Sequence, residues 1–206
     1  MQAHRITVRN MNQARRAKRR HDAVLTIEDP GQRHPLRFHS APHPEQLVMK
    51  FEDVDFHEAT IALPREEHVT AAIEFGRRHR DGSILIHCRA GIARSTALAL
   101  AIIADRLGAG REKEAVADLL VIRPEAAPNL IMLAMTDTLL GRGGALVNAW
   151  MEVENSDERY ADHRKKKLEI LRRRPEAFAR ASANVSGSIL RFENNSITPR
   201  LGPFAD

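Results

Sequence analysis

His87-Cys88-Arg89-Ala90-Gly91-Ile92-Ala93-Arg94-Ser95-Thr96 is the stretch on which the reading of this chain turns. It follows the apolar run Ile84-Leu85-Ile86 and leads into a longer one, Ala97 to Ala104. A buried strand, a tight turn containing glycine and a buried helix are the natural parse. Such a turn points backbone N–H groups into one hollow at a helix N-terminus, where the helix dipole also favours negative charge. The hollow begins with Cys88 and ends with Arg94. The amides, the dipole and the arginine all favour the thiolate over the thiol. Arg94 adds a planar fork that matches two oxygens of a phosphate.

Outward from this stretch, strands and helices alternate. Ile6-Thr7-Val8 and Ala23-Val24-Leu25-Thr26-Ile27 read as strands, the second stopped by the turn signal Glu28-Asp29-Pro30-Gly31. Gln46 to Phe51 is another strand, with the acidic cluster Glu52-Asp53-Val54-Asp55 at its end. Pro64 suits the first turn of a helix reaching about His79, where Val69, Ala72, Ile73 and Gly76 form one buried stripe. After the helix from about Arg94 to Leu107 come three more, near 112–122, 129–140 and 145–154. This order predicts an α/β fold, a central sheet with helices packed on it.

The pattern of an apolar strand, His-Cys, glycine three after the cysteine, arginine six after it and Ser-Thr opening a helix resembles the signature of the cysteine-dependent protein tyrosine phosphatases. Within them it is similar to the compact dual-specificity group, in a bacterial-looking composition. The resemblance spans about residues 5 to 150. It implies a mostly parallel sheet flanked by helices, with the phosphate loop at the carboxyl end of a central strand. It also implies a phosphatase domain over 1–155, followed by a basic C-terminal extension over 156–206, partly helical or loop.

The implied chemistry is metal-independent hydrolysis of a phosphomonoester through a phosphocysteine, with no cofactor. Cys88 is the implied nucleophile. The amides of Arg89, Ala90, Gly91, Ile92, Ala93 and Arg94, with the Arg94 guanidinium, hold the phosphoryl group. Ser95 hydrogen-bonds the sulfur, a role compatible with capping the helix. His87 either braces the loop or is a satisfied core histidine. Asp53 stands where the dual-specificity group has its general acid, 35 residues before Cys88, with Asp55 as its competitor. A carboxyl beside a phosphoryl dianion is expected to have a raised pKa.

Composition bounds the partners. The net charge is +5 and 26 of the 32 basic residues are Arg, which suits a phosphorylated protein or another phosphomonoester. RNA 5′-triphosphate and phosphoinositide hydrolysis are the alternatives on the same loop, and a non-catalytic phosphate-binding module is a third. Only 4% of residues are aromatic, which argues against stacking on nucleic acid, and Ala90, Ile92 and Ala93 offer no lysine for further phosphates. The single cysteine fits a reducing compartment, and no apolar run approaches the ~18 residues of a membrane span. The cytoplasm is therefore the expected location. His34, His39 and His43 lack metal-ligand spacing. Pocket depth, which separates phosphotyrosine from phosphoserine/threonine and from small phosphates, depends on loops that the sequence does not place.

Overall fold

A computed structural model describes residues 5–30, 43–53, 63–173, 189–193 and 196–199. Four strands form a parallel sheet: β1 (Ile6–Arg9), β2 (Ala23–Glu28), β3 (Gln46–Lys50) and β4 (Ile84–His87). Two more, β5 (Ile189–Glu193) and β6 (Ser196–Pro199), add antiparallel beyond β3. The order across the sheet is β1-β4-β2-β3-β5-β6. β4, the strand that leads into the Cys88–Arg94 loop, therefore lies inside the sheet between β1 and β2, as the α/β reading expects.

The alternation of side chains along the strands divides the core. Ala23, Leu25 and Ile27 of β2 and Ile84 and Ile86 of β4 join the main cluster. Val24 and Leu85 face the other way and meet Ala14 of α1 (Met11–Ala17). A 3₁₀ turn, Lys18–Arg20, ends that short helix before β2. The main face is covered by α2 (Glu66–Arg78), α3 (Arg94–Leu107), α4 (Glu112–Ile122), α5 (Leu130–Leu139) and α6 (Ala145–Ser156). Helix α3 is buried continuously from Arg94 to Ala104, because the sheet lies on one side and other helices on the rest.

Two local features hold the helical layer in place. Asp137 of α5 accepts hydrogen bonds from the backbone N–H groups of Leu146 and Val147 at 3.0 and 2.9 Å. It thereby serves the open N-terminus of α6, whose own preceding residue is Gly144 and supplies no side-chain cap. In α2, Gly76 permits the closest approach to α3: a Cβ there would stand 2.5 Å from Cγ2 of Ile102. The last described helix, α7 (Glu158–Arg173), packs on α6 and contains the basic run Arg164-Lys165-Lys166-Lys167.

Gly76→Ala should therefore destabilise the fold even though alanine is the better helix former. Ile102 is β-branched and close to its own backbone, so the clash cannot be relieved by a simple rotamer change. Overpacking of about 1–3 kcal/mol set against a propensity gain of about 1 kcal/mol predicts a net loss, read as a lower urea midpoint at unchanged slope.

Candidate active site

The four parallel strands run in the same direction, so their carboxyl ends bring distant residues to one edge. Arg9 and Thr26 both register with His87, and Glu28 with Lys50. Immediately beyond lie Asn10, Asp29, Phe51 to Asp53, and Cys88. Crevices at this edge are where open α/β sheets bind ligands.

The loop after β4 closes tightly on the end of β1. Gly91 has φ +71°, and a Cβ on it would lie 2.6 Å from the carbonyl carbon of Arg9 and 2.7 Å from Asn10 N. Both the left-handed conformation and the close approach demand glycine. Met11 N–H donates to the Arg89 carbonyl at 3.2 Å, fixing the loop against the start of α1. From behind, Ala127 N–H donates to Ile92 O at 2.9 Å. Thr96 completes the turn through hydroxyl bonds to the carbonyls of Ile92 and Ala93.

This folding places the Cys88 sulfur, only 1% exposed, at the bottom of the loop. Gly91 N–H donates to Sγ at 3.2 Å, and Ser95 Oγ lies 3.3 Å from it. Ser95 does not cap α3: the preceding cap residue is Ala93, which contributes no side chain, and the hydroxyl goes to the sulfur instead. Among the described residues, the amides of Arg89, Ala90, Ile92 and Ala93 have no protein acceptor. They are open donors at a helix N-terminus, which is an arrangement suited to an anion.

Arg94 is buried and oriented by two partners that sequence reasoning did not single out. Its Nη2 is 2.6 Å from Asp29 Oδ1, and its Nη1 donates to the Phe51 carbonyl at 2.7 Å. The buried Nε–H has no partner among the described residues. Burial opposes the charge, but Asp29 and Asp53 outweigh it and hold the guanidinium above the ordinary arginine value. Asp29 carried only a turn signal in the sequence. A backbone carbonyl such as that of Phe51 carries no residue-type signal at all.

Asp53 lies at this edge, its side chain 24% exposed, with Oδ1 2.6 Å from Lys167 Nζ of α7. Asn129 Nδ2 donates to the same oxygen at 3.3 Å, while Asn129 Oδ1 accepts from Met132 N–H and caps α5. Burial works to raise the Asp53 carboxyl. The positive charges of Lys167 and Arg94 prevail, and its pKa lies below the usual aspartate value. The protein's own cations thus draw the carboxyl in the direction opposite to that expected of a neighbouring phosphoryl dianion. Asp55 lies outside the described residues, as do His34 and His39. His43 is engaged with the backbone, its ring lying 2.9 Å from the His21 carbonyl and accepting from Glu45 N–H.

His87 is fully buried on the opposite face of the sheet, with Nε2 2.9 Å from Thr26 Oγ1. Gln46 Nε2 donates to that hydroxyl at 2.8 Å. Burial pushes the His87 pKa down to about 4. His68, which accepts from Arg65 N–H through Nδ1, is likewise lowered by burial to about 4.

No family model matches this sequence, and no curated protein is significantly similar to it. Solved structures are similar. A crystal structure of a variant of human DUSP28 matches with a TM-score of 0.51 at 17% identity, covering 68% of this chain and 91% of that one. A mouse putative dual specificity phosphatase, crystallised with zinc tungstate, matches with a TM-score of 0.51 at 22% identity, covering 69% and 86%. The fold is that of the dual-specificity and tyrosine-phosphatase type of cysteine phosphatase.

The two buried histidines give a pH signature. Their pKa values are depressed in the folded state, so the unfolded chain binds more protons below about pH 6.5. Stability should be fully present above that pH and decline as the pH falls toward about 4. Denaturant midpoints at pH 7 and pH 5 should differ, and His87→Gln should reduce that difference. An unchanged pH dependence in the variant would remove His87 from the account.

Proposed function

We propose that the protein is a metal-independent phosphomonoester hydrolase that works through a phosphocysteine, acting on phosphorylated protein as a tyrosine or dual-specificity phosphatase. The reading is carried by the loop itself. A buried sulfur receives a hydrogen bond from Gly91 N–H at the base of a ring of open amides, beside an arginine whose Nε–H has no partner among the described residues. The chemistry is placed in residues 1–155, with 156–206 as an extension, and a cytoplasmic setting suits a lone thiol that must stay reduced.

In the first step the Cys88 thiolate attacks phosphorus and a P–S bond forms. The P–O bond to the leaving group breaks, and the leaving oxygen takes a proton from Asp53. The open amides and Arg94 hold the three equatorial oxygens, whose charge they balance most fully as the bond order changes. In the second step water attacks phosphorus. The Asp53 carboxylate takes its proton, the P–S bond breaks and the thiolate returns. Ser95 stabilises that thiolate as it leaves. Arg89 contributes its amide, and its exposed side chain stays at the rim. His87 supports the loop from behind through Thr26 rather than touching substrate.

Arg94 and Lys167 supply positive charge at the loop for a phosphate ester, and Lys167 and Asp53 stand at its edge. The 4% aromatic content of the chain argues against the base stacking that a triphosphorylated RNA would use.

Phosphopeptides, a phosphoinositide and triphosphorylated RNA, assayed in the presence of a chelator, test the substrate class directly. Cys88→Ser should lower aryl phosphate turnover by roughly 10³-fold or more while tungstate binding persists. Wild-type turnover in that variant would rule out the phosphocysteine. Arg94→Lys should lose both affinity and rate, because an ammonium cannot hold Asp29, the Phe51 carbonyl and a phosphate at once. Asp53→Asn should lower turnover by about 10²-fold, most for leaving groups of high pKa, and flatten the basic limb of the pH–rate curve.

A further inference from the structure

One contact links the C-terminal helix to the reacting groups across 114 residues of sequence: Lys167 Nζ to Asp53 Oδ1 at 2.6 Å. Both side chains are largely buried, Lys167 being 15% exposed. Desolvation makes a pair of this kind a weak source of stability, so its position beside the loop is the more informative fact.

The helix that carries Lys167 is firmly anchored. Arg164 grips Glu154 through Nε and Nη2 at 2.6 and 2.7 Å, and Trp150 Nε1–H donates to the same carboxylate at 2.8 Å. The Tyr160 hydroxyl donates to Pro124 O at 3.0 Å, and its ring meets Trp150 edge-on. Arg164 also reaches Pro128 O at 3.4 Å. The segment 124–129 in turn donates to the back of the loop, from Ala127 to Ile92 O and from Asn129 to Ala93 O. One helix thus touches both the support of the phosphate loop and the carboxylate at its edge.

We propose that Lys167 is a positioning residue for Asp53: it holds the carboxylate in place at the edge of the loop, and through it α7 sets the pH range of proton donation. The proposal rests on Asp53 being the acid. Among the described residues, the groups facing that carboxyl are Lys167 from α7, Arg94 from α3 and the Asn129 amide at the start of α5. Arg94 is itself balanced by Asp29 and the Cys88 sulfur. A phosphate dianion entering the loop occupies Arg94 and brings negative charge toward Asp53, which favours its protonation. Lys167 is then the cation that still opposes it. The same lysine favours the carboxylate form that must accept a proton from water in the second step.

The test uses the full chain and the rapid phosphorylation phase with an aryl phosphate, followed against pH. Lys167→Met should move the basic limb of that phase to higher pH and slow the second step. Lys167→Gln, which keeps a hydrogen-bond donor without the charge, should do the same, and Lys167→Arg should restore the wild-type limb. A rate lowered equally at every pH in the neutral variants, with the limb unmoved, would show a merely structural helix contact and overturn the role. Asp53→Asn separates the two readings. If it leaves the limb in place, the acid assignment fails and this role falls with it. If it flattens the limb while Lys167→Met leaves it unmoved, only the role of Lys167 is overturned.

Discussion

The common direction and register of four parallel strands is the constraint on which the site depends. Because Arg9, Thr26 and His87 stand side by side, the segments leaving β1, β2 and β4 emerge at one edge, and β3 delivers Phe51 and Asp53 next to them. A parallel sheet requires a crossover between each pair, and those crossovers place helices on its faces. The loop then needs only one further condition, the absence of a side chain at Gly91. A Cβ there would stand 2.6 Å from the Arg9 carbonyl. Packing of the loop onto β1 and the left-handed backbone at its turn thus both require glycine at this one position.

Around that loop the charges are arranged in a chain rather than as isolated pairs. Asp29 and the Phe51 carbonyl orient Arg94, Arg94 and Lys167 act on Asp53, and Asn129 joins Asp53 to the start of α5. Each ionic group is largely buried, so each would be costly without its partner. The cations and carboxylates balance one another, and among the described residues Arg94 Nε and the open amides keep donors without a partner. An anion would complete a network that the protein alone leaves incomplete. His87, by contrast, meets Thr26, which Gln46 holds in turn, and belongs to the support of the loop.

What the sequence alone determined is what arises locally. Strand, loop and helix at 84–107 follow from one contiguous pattern, because an apolar strand, a glycine turn and a helix N-terminus each depend on neighbours in the chain. Cys88, Gly91 and Ser95 were legible for the same reason: they are at most seven residues apart, and the turn itself brings them together. The α/β class was equally open to reading, since alternating periodicity marks each element before any of them pack. The tertiary structure alone decided which distant groups join them. Asp29 read as part of a turn, Lys167 as one member of a basic run, and Phe51 acts through a carbonyl that every residue has. Ion pairs and carbonyl contacts spanning 43 to 114 residues leave no period in the sequence, because they are set by strand register and helix packing rather than by local conformation. The charge state of Asp53 followed the same rule: residue type placed a carboxyl near the loop, and only the cations folded around it determined which way its proton equilibrium is drawn.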